Sequence, residues 1–378
     1  MTDRPAIIVV AYSARALASS AAHAGFAPLS IDVFGDDDMR EVSLASVKLD
    51  GGLSDGLRLD KAAGAVERLV TAYEPIGLVY GAGFERQPEA LAAIALKIRV
   101  FGNSAETLKR AKDPIALARI CDTNSVRHPE VQFAPPDDPE LWLVKRWGGA
   151  GGAHVAQAHG ASRASPECYF QRRVAGRSIS ALFVASEKRA EIVGLSMQWT
   201  APTPASPFRY GGAAGPVEIA PEQAGEIARA VAAMASGLDL VGLNSADFLV
   251  SDDAVWLVEI NPRPGATLDV FDSHGDPLFA RHVAACEGRL PPAPSGLPFK
   301  AAEIVYALHD IVVRGGENWP DWAVDRSAPG TRIGAGEPLC TALASGATLD
   351  LARKCVGERA QEIIALVQEW EHCATPGA

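Results

Sequence analysis

The sequence predicts a mixed α/β protein in which an N-terminal parallel sheet is followed by antiparallel strands. Three observations carry this. Residues 1 to about 103 alternate short apolar runs with helical segments, the pattern of a parallel sheet with helices on both faces. Residues 247–263 read as two strands joined by a polar turn. Residues 141–155 read as strand, lysine, glycine-rich loop and strand.

Along the first region, Ile7 to Val10 is a strand and Ala14 to Ala24 an alanine-rich helix. Leu29 to Val33 is the second strand, and Gly35–Asp38 an acidic loop. Lys61–Tyr73 is a helix, Ile76–Tyr80 a strand, Pro88–Lys97 a helix, and Val100-Phe101 a strand. After the first strand comes Ala11-Tyr12-Ser13-Ala14-Arg15. It lacks Gly-x-Gly-x-x-Gly, so dinucleotide binding is not expected. Ser13, Arg15, Asp36 and Gly83 fall at carboxyl ends of strands, where open α/β sheets bind ligands, although ordinary turn residues would look the same.

Asn103 or Ser104 can cap the next helix, and 133–139 is a proline-rich surface loop. In Lys145-Arg146-Trp147-Gly148-Gly149-Ala150-Gly151-Gly152, four glycines in five positions let backbone N–H groups turn toward an anion. Lys145 precedes them, so this is no Walker A loop; a structural hairpin is the plainer alternative. Ser178–Val184 and Ala190–Ser196 read as antiparallel strands, and Thr200–Gly215 as a long irregular segment. In it, Arg209, beside Tyr210, is a candidate for a substrate carboxylate or a plain solvated arginine. Pro221–Leu238 is a helix.

In the hairpin, Asp247 leads Phe248–Val250, Ser251-Asp252-Asp253 turns, and Ala254–Ile260 returns. A tight antiparallel turn sets Asp247 beside Glu259 and Asn261, which share one face because they are two apart. Two carboxylates and a carboxamide oxygen suit magnesium. Arg263 adds a cation at the same edge. The alternative is a hairpin with acids at its rim, although a carboxylate in an apolar strand is costly without a partner. Beyond the linker 291–296, Ala301–Val313 reads as a strand, 330–344 as two short strands about a turn, and Leu349–His372 as the final helix.

Asp247 with Glu259-Ile260-Asn261-Pro262-Arg263 resembles the metal-binding signature of the ATP-grasp superfamily. The resemblance covers residues 1 to 290 and implies an ATP-grasp fold. Its parts would be a Rossmann-like domain (1–103), two ATP-grasp subdomains (104–175 and 176–290), and a C-terminal β-rich cap with a final helix (297–378). It implies ATP and Mg2+ (or Mn2+) as cofactors, with Asp247, Glu259 and Asn261 on the metal and Lys145 on the α- and β-phosphates. Gly148, Gly149, Gly151 and Gly152 would cover the phosphates, and Tyr169–Gly176 would be the adenine hinge, reading the base through backbone groups of Arg172, Arg173 and Val174. Gln171 stands where many relatives carry Glu. The residues nearest the chemistry would be Arg263, Lys145 and Asn261, and the candidate substrate contacts are Ser13, Arg15, Gly83, Arg209 and Tyr210.

The implied activity is ATP-dependent ligation of a carboxylate to an amine through an acyl phosphate. A carboxylase of the biotin-carboxylase or purine type and a non-catalytic nucleotide binder are the alternatives. Tyr80–Glu85, Phe101–Asn103 and the Trp-Pro-Asp-Trp pattern at 319–322 resemble a branch near the tyramine–glutamate ligases of methanofuran-type, one-carbon cofactor synthesis. That branch implies glutamate as a substrate, and a homodimer is compatible with it.

Composition narrows the partners. The 378 residues carry 35 basic and 46 acidic side chains, a net charge of −11, which gives no support to nucleic-acid binding. No apolar run approaches the roughly 20 residues needed to span a bilayer. Ile7–Val10 reads as a buried strand rather than a signal peptide. Six scattered cysteines without Cys-x-x-Cys argue for reduced thiols, a cytoplasmic location and no zinc site; His154 and His159 read as loop residues.

Overall fold

The computed structural model describes residues 4–51, 57–159, 165–314 and 318–372. The first sheet contains β1 (Ala6–Val10), β2 (Ala27–Asp32), β3 (Ala45–Lys48), β4 (Leu78–Tyr80) and β5 (Val100–Phe101), all parallel, in the order β3-β2-β1-β4-β5. Helices α1 (Arg15–His23), α2 (Asp37–Val42), α3 (Leu59–Tyr73) and α4 (Pro88–Ala95) connect the strands. The two-residue period of β1 serves both faces: Ile7 and Val9 enter one apolar core, Ile8 and Val10 another.

The acidic loop expected at 35–38 is corrected in part, because Asp37 and Asp38 open α2. Acids favour a helix N-terminus, and Asp38 also accepts the N–H groups of Asp325 and Arg326 at 2.9 Å each. The strand β3 went unread; it is a four-residue edge strand with exposed alternate positions.

Next come α5 (Ala105–Lys112) and α6 (Pro114–Thr123). Ser104 caps the first through Thr107 N–H at 3.1 Å, and Asp113 caps the second through Ile115 N–H at 2.8 Å. An antiparallel sheet follows, with β6 (Val131–Gln132), β7 (Trp142–Arg146), β8 (Val155–Gln157) and β9 (Cys168–Arg172) in the order β6-β9-β7-β8.

The largest sheet begins with β10 (Arg177–Ser186), β11 (Arg189–Thr200) and β12 (Tyr210–Gly215). After α7 (Pro221–Gly237) it gains β13 (Gly242–Val250) and β14 (Val255–Asn261). Helices α8 (Leu268–Phe271) and α9 (Leu278–Cys286) then lead to β15 (Phe299–Tyr306). The remaining elements are β16 (Ile311–Val312), β17 (Ala323–Val324), β18 (Arg332–Ile333), β19 (Pro338–Gly346) and α10 (Leu349–His372). The sheet order is β14-β13-β10-β11-β12-β15-β19-β17.

Three strand expectations are corrected here. The segment 200–215 is irregular only to residue 209; β12 then pairs with β11 and β15. Its glycines hid it, yet a Cβ at Gly212 would lie 2.4 Å from the Ala302 carbonyl oxygen and from the Trp199 ring. The strand read over 301–313 stops at Tyr306. In 330–344, β18 pairs with β16 and β19 with β15, not with each other. The C-terminal strands β15, β17 and β19 therefore extend the sheet that carries the hairpin.

One buried histidine ties three parts together. His282 Nδ1 accepts the Leu243 N–H at 2.8 Å, so Nε2–H is the donor to the Phe101 carbonyl at 2.9 Å. Burial lowers its pKa to about 4. Among the described residues, no helix is long and apolar enough to cross a membrane. Cys121, Cys168, Cys286, Cys340 and Cys355 are free thiols; Cys373 lies outside the described residues.

Candidate active site

Strand register builds the hairpin site. In β13 and β14, Asp247 faces Glu259 and Ser245 faces Asn261. Asn261 Nδ2 donates to Asp247 Oδ2 at 2.9 Å, and Ser180 of the neighbouring strand donates to Asp247 Oδ1 at 2.6 Å. These are hard oxygen donors from adjacent strands, which fits a divalent cation. The set is two carboxylates and a carboxamide; among the described residues no three His, Cys, Asp or Glu converge for a metal.

Lys112, at the end of α5, was not foreseen. Its Nζ donates to Glu259 Oε1 at 2.5 Å and to Asn261 Oδ1 at 2.8 Å. Burial works to raise the Glu259 carboxyl, but Lys112, then His154 and Lys145, overcome it and hold it at about 2. For Asp247, burial and then Glu259 push the carboxyl up. Lys145 is buried at the end of β7, and desolvation lowers its ammonium despite Glu259 and Asp247.

Arg263 is anchored by a second unforeseen partner. Its Nε donates to Glu85 Oε1 at 2.8 Å, in a pair whose side chains are 8% and 2% exposed. Burial favours a neutral Glu85, but Arg263 and then Lys112 outweigh it and keep the carboxyl below its usual range. Glu85 Oε2 also accepts the Gly83 N–H at 2.7 Å. This joins the loop after β4 to the end of the hairpin.

The glycine loop needs its glycines. Gly148 has φ +61° and Gly152 φ +76°. A Cβ at Gly149 would lie 2.0 Å from the His154 ring, and one at Gly152 1.8 Å from the Phe208 carbonyl oxygen. The loop meets the 206–210 segment, where Tyr210 N–H donates to the Gly151 carbonyl at 3.0 Å. Arg209 is held there by the carbonyls of Ala201 and Gly336, both at 2.8 Å, with its guanidinium 3.5 Å from the Tyr306 ring centroid. It is a strut of that loop, which corrects the picture of a solvated side chain.

One cavity of about 1830 Å³ unites these parts. Lys145, the four glycines, Gln171 to Val174, Asp247, Glu259, Asn261 and Arg263 all lie on its wall, as do Ser13, Arg15, Gly83, Arg209 and Tyr210. In the segment expected to form the hinge, the Arg172 and Arg173 N–H groups already donate to the Glu130 and Leu141 carbonyls at 2.8 Å each.

Residues 111–267, which hold Lys112, Lys145, the glycine loop, the hinge and the hairpin, match the family model described as ATP-grasp domain. The chain carries an ATP-grasp domain. A comparison with curated protein sequences gives no match. Among solved structures the fold resembles biotin carboxylase from Campylobacter jejuni, with a TM-score of 0.70 at 12% identity over 91% of this chain and 88% of that one. N5-carboxyaminoimidazole ribonucleotide synthetase from Thermotoga maritima gives 0.65 at 12%, over 95% and 98%. L-amino acid ligase from Bacillus licheniformis gives 0.68 at 14%, over 94% and 97%. At these identities the likeness establishes the ATP-grasp fold of the whole chain.

Residues beyond the matched segment meet the N-terminal sheet at a second charged group. Arg15 donates from Nη1 and Nη2 to Asp269 at 2.5 and 2.7 Å, and from Nε to Asp325 Oδ1 at 3.0 Å. Ser13 Oγ lies 3.4 Å from the same Asp325 oxygen. Arg15 is thus an internal counter-ion on the cavity wall, shared between Asp269 and Asp325.

Proposed function

We propose that this protein is an ATP-dependent carboxylate–amine ligase that works through an acyl phosphate. The observation that carries the reading is that Lys145 and Arg263 share one cavity wall with Asp247, Glu259, Asn261 and a glycine loop, with Lys112 paired to Glu259 and Asn261 from behind. Asp247, Glu259 and Asn261 would hold magnesium, which neutralises phosphate charge when bound.

The chain's own residues do the rest. The buried Lys145 ammonium has little solvent to compensate it and gains most from a phosphate oxygen. Lys112 can balance phosphate as well as Glu259. The glycine loop offers backbone N–H groups to the terminal phosphates and keeps water from the acyl phosphate. Arg263, fixed by Glu85, presents an oriented cation to the transferring group. In the hinge, Val174 N–H and the nearby carbonyls are the groups left to read adenine, since Arg172 and Arg173 N–H are engaged.

Glutamate is the first carboxylate to try, and synthesis of a one-carbon cofactor the first pathway context, on the strength of the sequence branch alone. An ATP-dependent carboxylase is the second reading, favoured by the likeness to biotin carboxylase and to the ribonucleotide synthetase. With magnesium, glutamate and an amine panel, 31P NMR should show ADP and phosphate. AMP and pyrophosphate would exclude the acyl phosphate, and turnover that needs bicarbonate would favour the carboxylase.

A further inference from the structure

At the far end of the cavity, carboxylates outnumber cations. Asp36 precedes α2, Asp269 sits in α8 and Asp325 follows β17; all three line the cavity around Arg15. Four of the five Arg15 N–H donors go to Asp269 and Asp325. Asp38 lies 3.9 Å from Arg15 Nε and accepts two backbone N–H groups, and Asp32 accepts those of Ala14 and Gly35.

Asp36 has no such settlement. It is 2% exposed, and its Oδ2 has no hydrogen-bond partner. Thr267 is 3% exposed, and its Oγ1 is likewise unpartnered. Buried polar atoms are nearly always satisfied, so two orphans on one cavity wall need an explanation. Burial, then Asp325, Asp32 and Asp38, force the Asp36 carboxyl upward, outweighing Arg15. A cation placed against Asp36 would reverse that.

We propose that this end of the cavity binds a cationic group of the amine substrate, with Asp36 and Thr267 as its acceptors. This rests on the ligase reading and deepens it. An ammonium held by carboxylates stays protonated and cannot attack an acyl phosphate. The held cation is therefore a second group, apart from the nitrogen that reacts. The acceptor class is a diamine or an amine with a distal cation. An acceptor bearing phosphate or a second carboxylate meets repulsion here.

Putrescine is the probe, with n-butylamine, which carries the held cation alone, and the uncharged 1,4-butanediol as controls, titrated calorimetrically into the full chain in two buffers of different ionisation enthalpy. Putrescine and n-butylamine should both bind, release protons as Asp36 ionises, and lose at least 10-fold in affinity in Asp36→Asn. 1,4-Butanediol should bind at least 10-fold more weakly than putrescine. Thr267→Val should weaken putrescine binding with no loss of proton release, and thermal melting confirms that both variants fold. Equal binding of 1,4-butanediol, putrescine affinity unchanged in both variants, or no putrescine binding overturns the proposal. These outcomes stand apart from the ligase reading, which fails only if magnesium–ATP binding or ADP release fails.

Discussion

The two ends of the cavity solve opposite charge problems. At the hairpin end, Asp247, Glu259 and Glu85 are set against Lys112, Lys145 and Arg263, so acids and cations balance one for one. At the N-terminal sheet, Asp36, Asp38, Asp269 and Asp325 gather around Arg15, while the neighbouring Arg326 is paired with Glu41. The first arrangement is complete in itself and can exchange partners with an anionic ligand. The second is short of positive charge and waits for it. A cavity polarised in this way distinguishes its ligands by sign before any shape is read.

The sharpest way to break the comparison is to remove one charge from each end. Lys112→Met leaves the partly buried Glu259 without its nearest cation. Unfolding in urea without magnesium should show a loss of about 2–3 kcal/mol, at or below the low end of the scale for a fully buried pair. Adding magnesium should recover part of it. Asp269→Asn removes one acid from the oversupplied end and leaves Arg15 paired with Asp325. It should cost about 1–2 kcal/mol. Equal losses at the two ends would contradict the contrast.

A smaller effect is expected in the glycine loop. Gly152→Ala puts a methyl against the Phe208 carbonyl at a left-handed φ. The loop must retreat, so the KM for ATP should rise about 10-fold, the equivalent of 1.4 kcal/mol, with a near-normal melting temperature. An unchanged KM would show that the loop does not cover the nucleotide.

The last effect concerns pH, builds up across a range of pH and lies away from both ends. The folded pKa of His282 is lowered to about 4, against about 6.5 unfolded. Between those values the unfolded chain binds more protons, so stability falls as pH is lowered from about 6.5 toward about 4. The slope should approach 1.4 kcal/mol per pH unit for one proton. The difference curve between wild type and His282→Gln should carry that slope, and a flat difference would exclude His282 as its source.

The hairpin was legible because its logic is local: a short polar turn aligns the two strands, and a one-residue register shift between Phe248 and Asp247 then sets Asp247 opposite Glu259. The glycine loop was legible for the same reason. Lys112 was not, because only the packing of α5 against β14 brings a helix-end lysine to that face. The one local sign was three basic residues in the last turn of α5. Glu85 was hidden likewise, since its partner Arg263 lies 178 positions on. The strand β12 was missed because Tyr-Gly-Gly-Ala-Ala-Gly has poor strand propensity. Its glycines serve close contact with Trp199 and Ala302 instead. The acidic end was read only as scattered strand-end residues, because Asp269 and Asp325 reach Arg15 across more than 250 positions.

The central claim is that the balanced end is a metal–nucleotide site. Its most direct test is a calorimetric titration of ATP into the wild-type protein and Glu259→Ala, each with and without magnesium. Tight binding is predicted only for the wild type with magnesium. Tight binding without metal, unchanged in Glu259→Ala, would contradict the account.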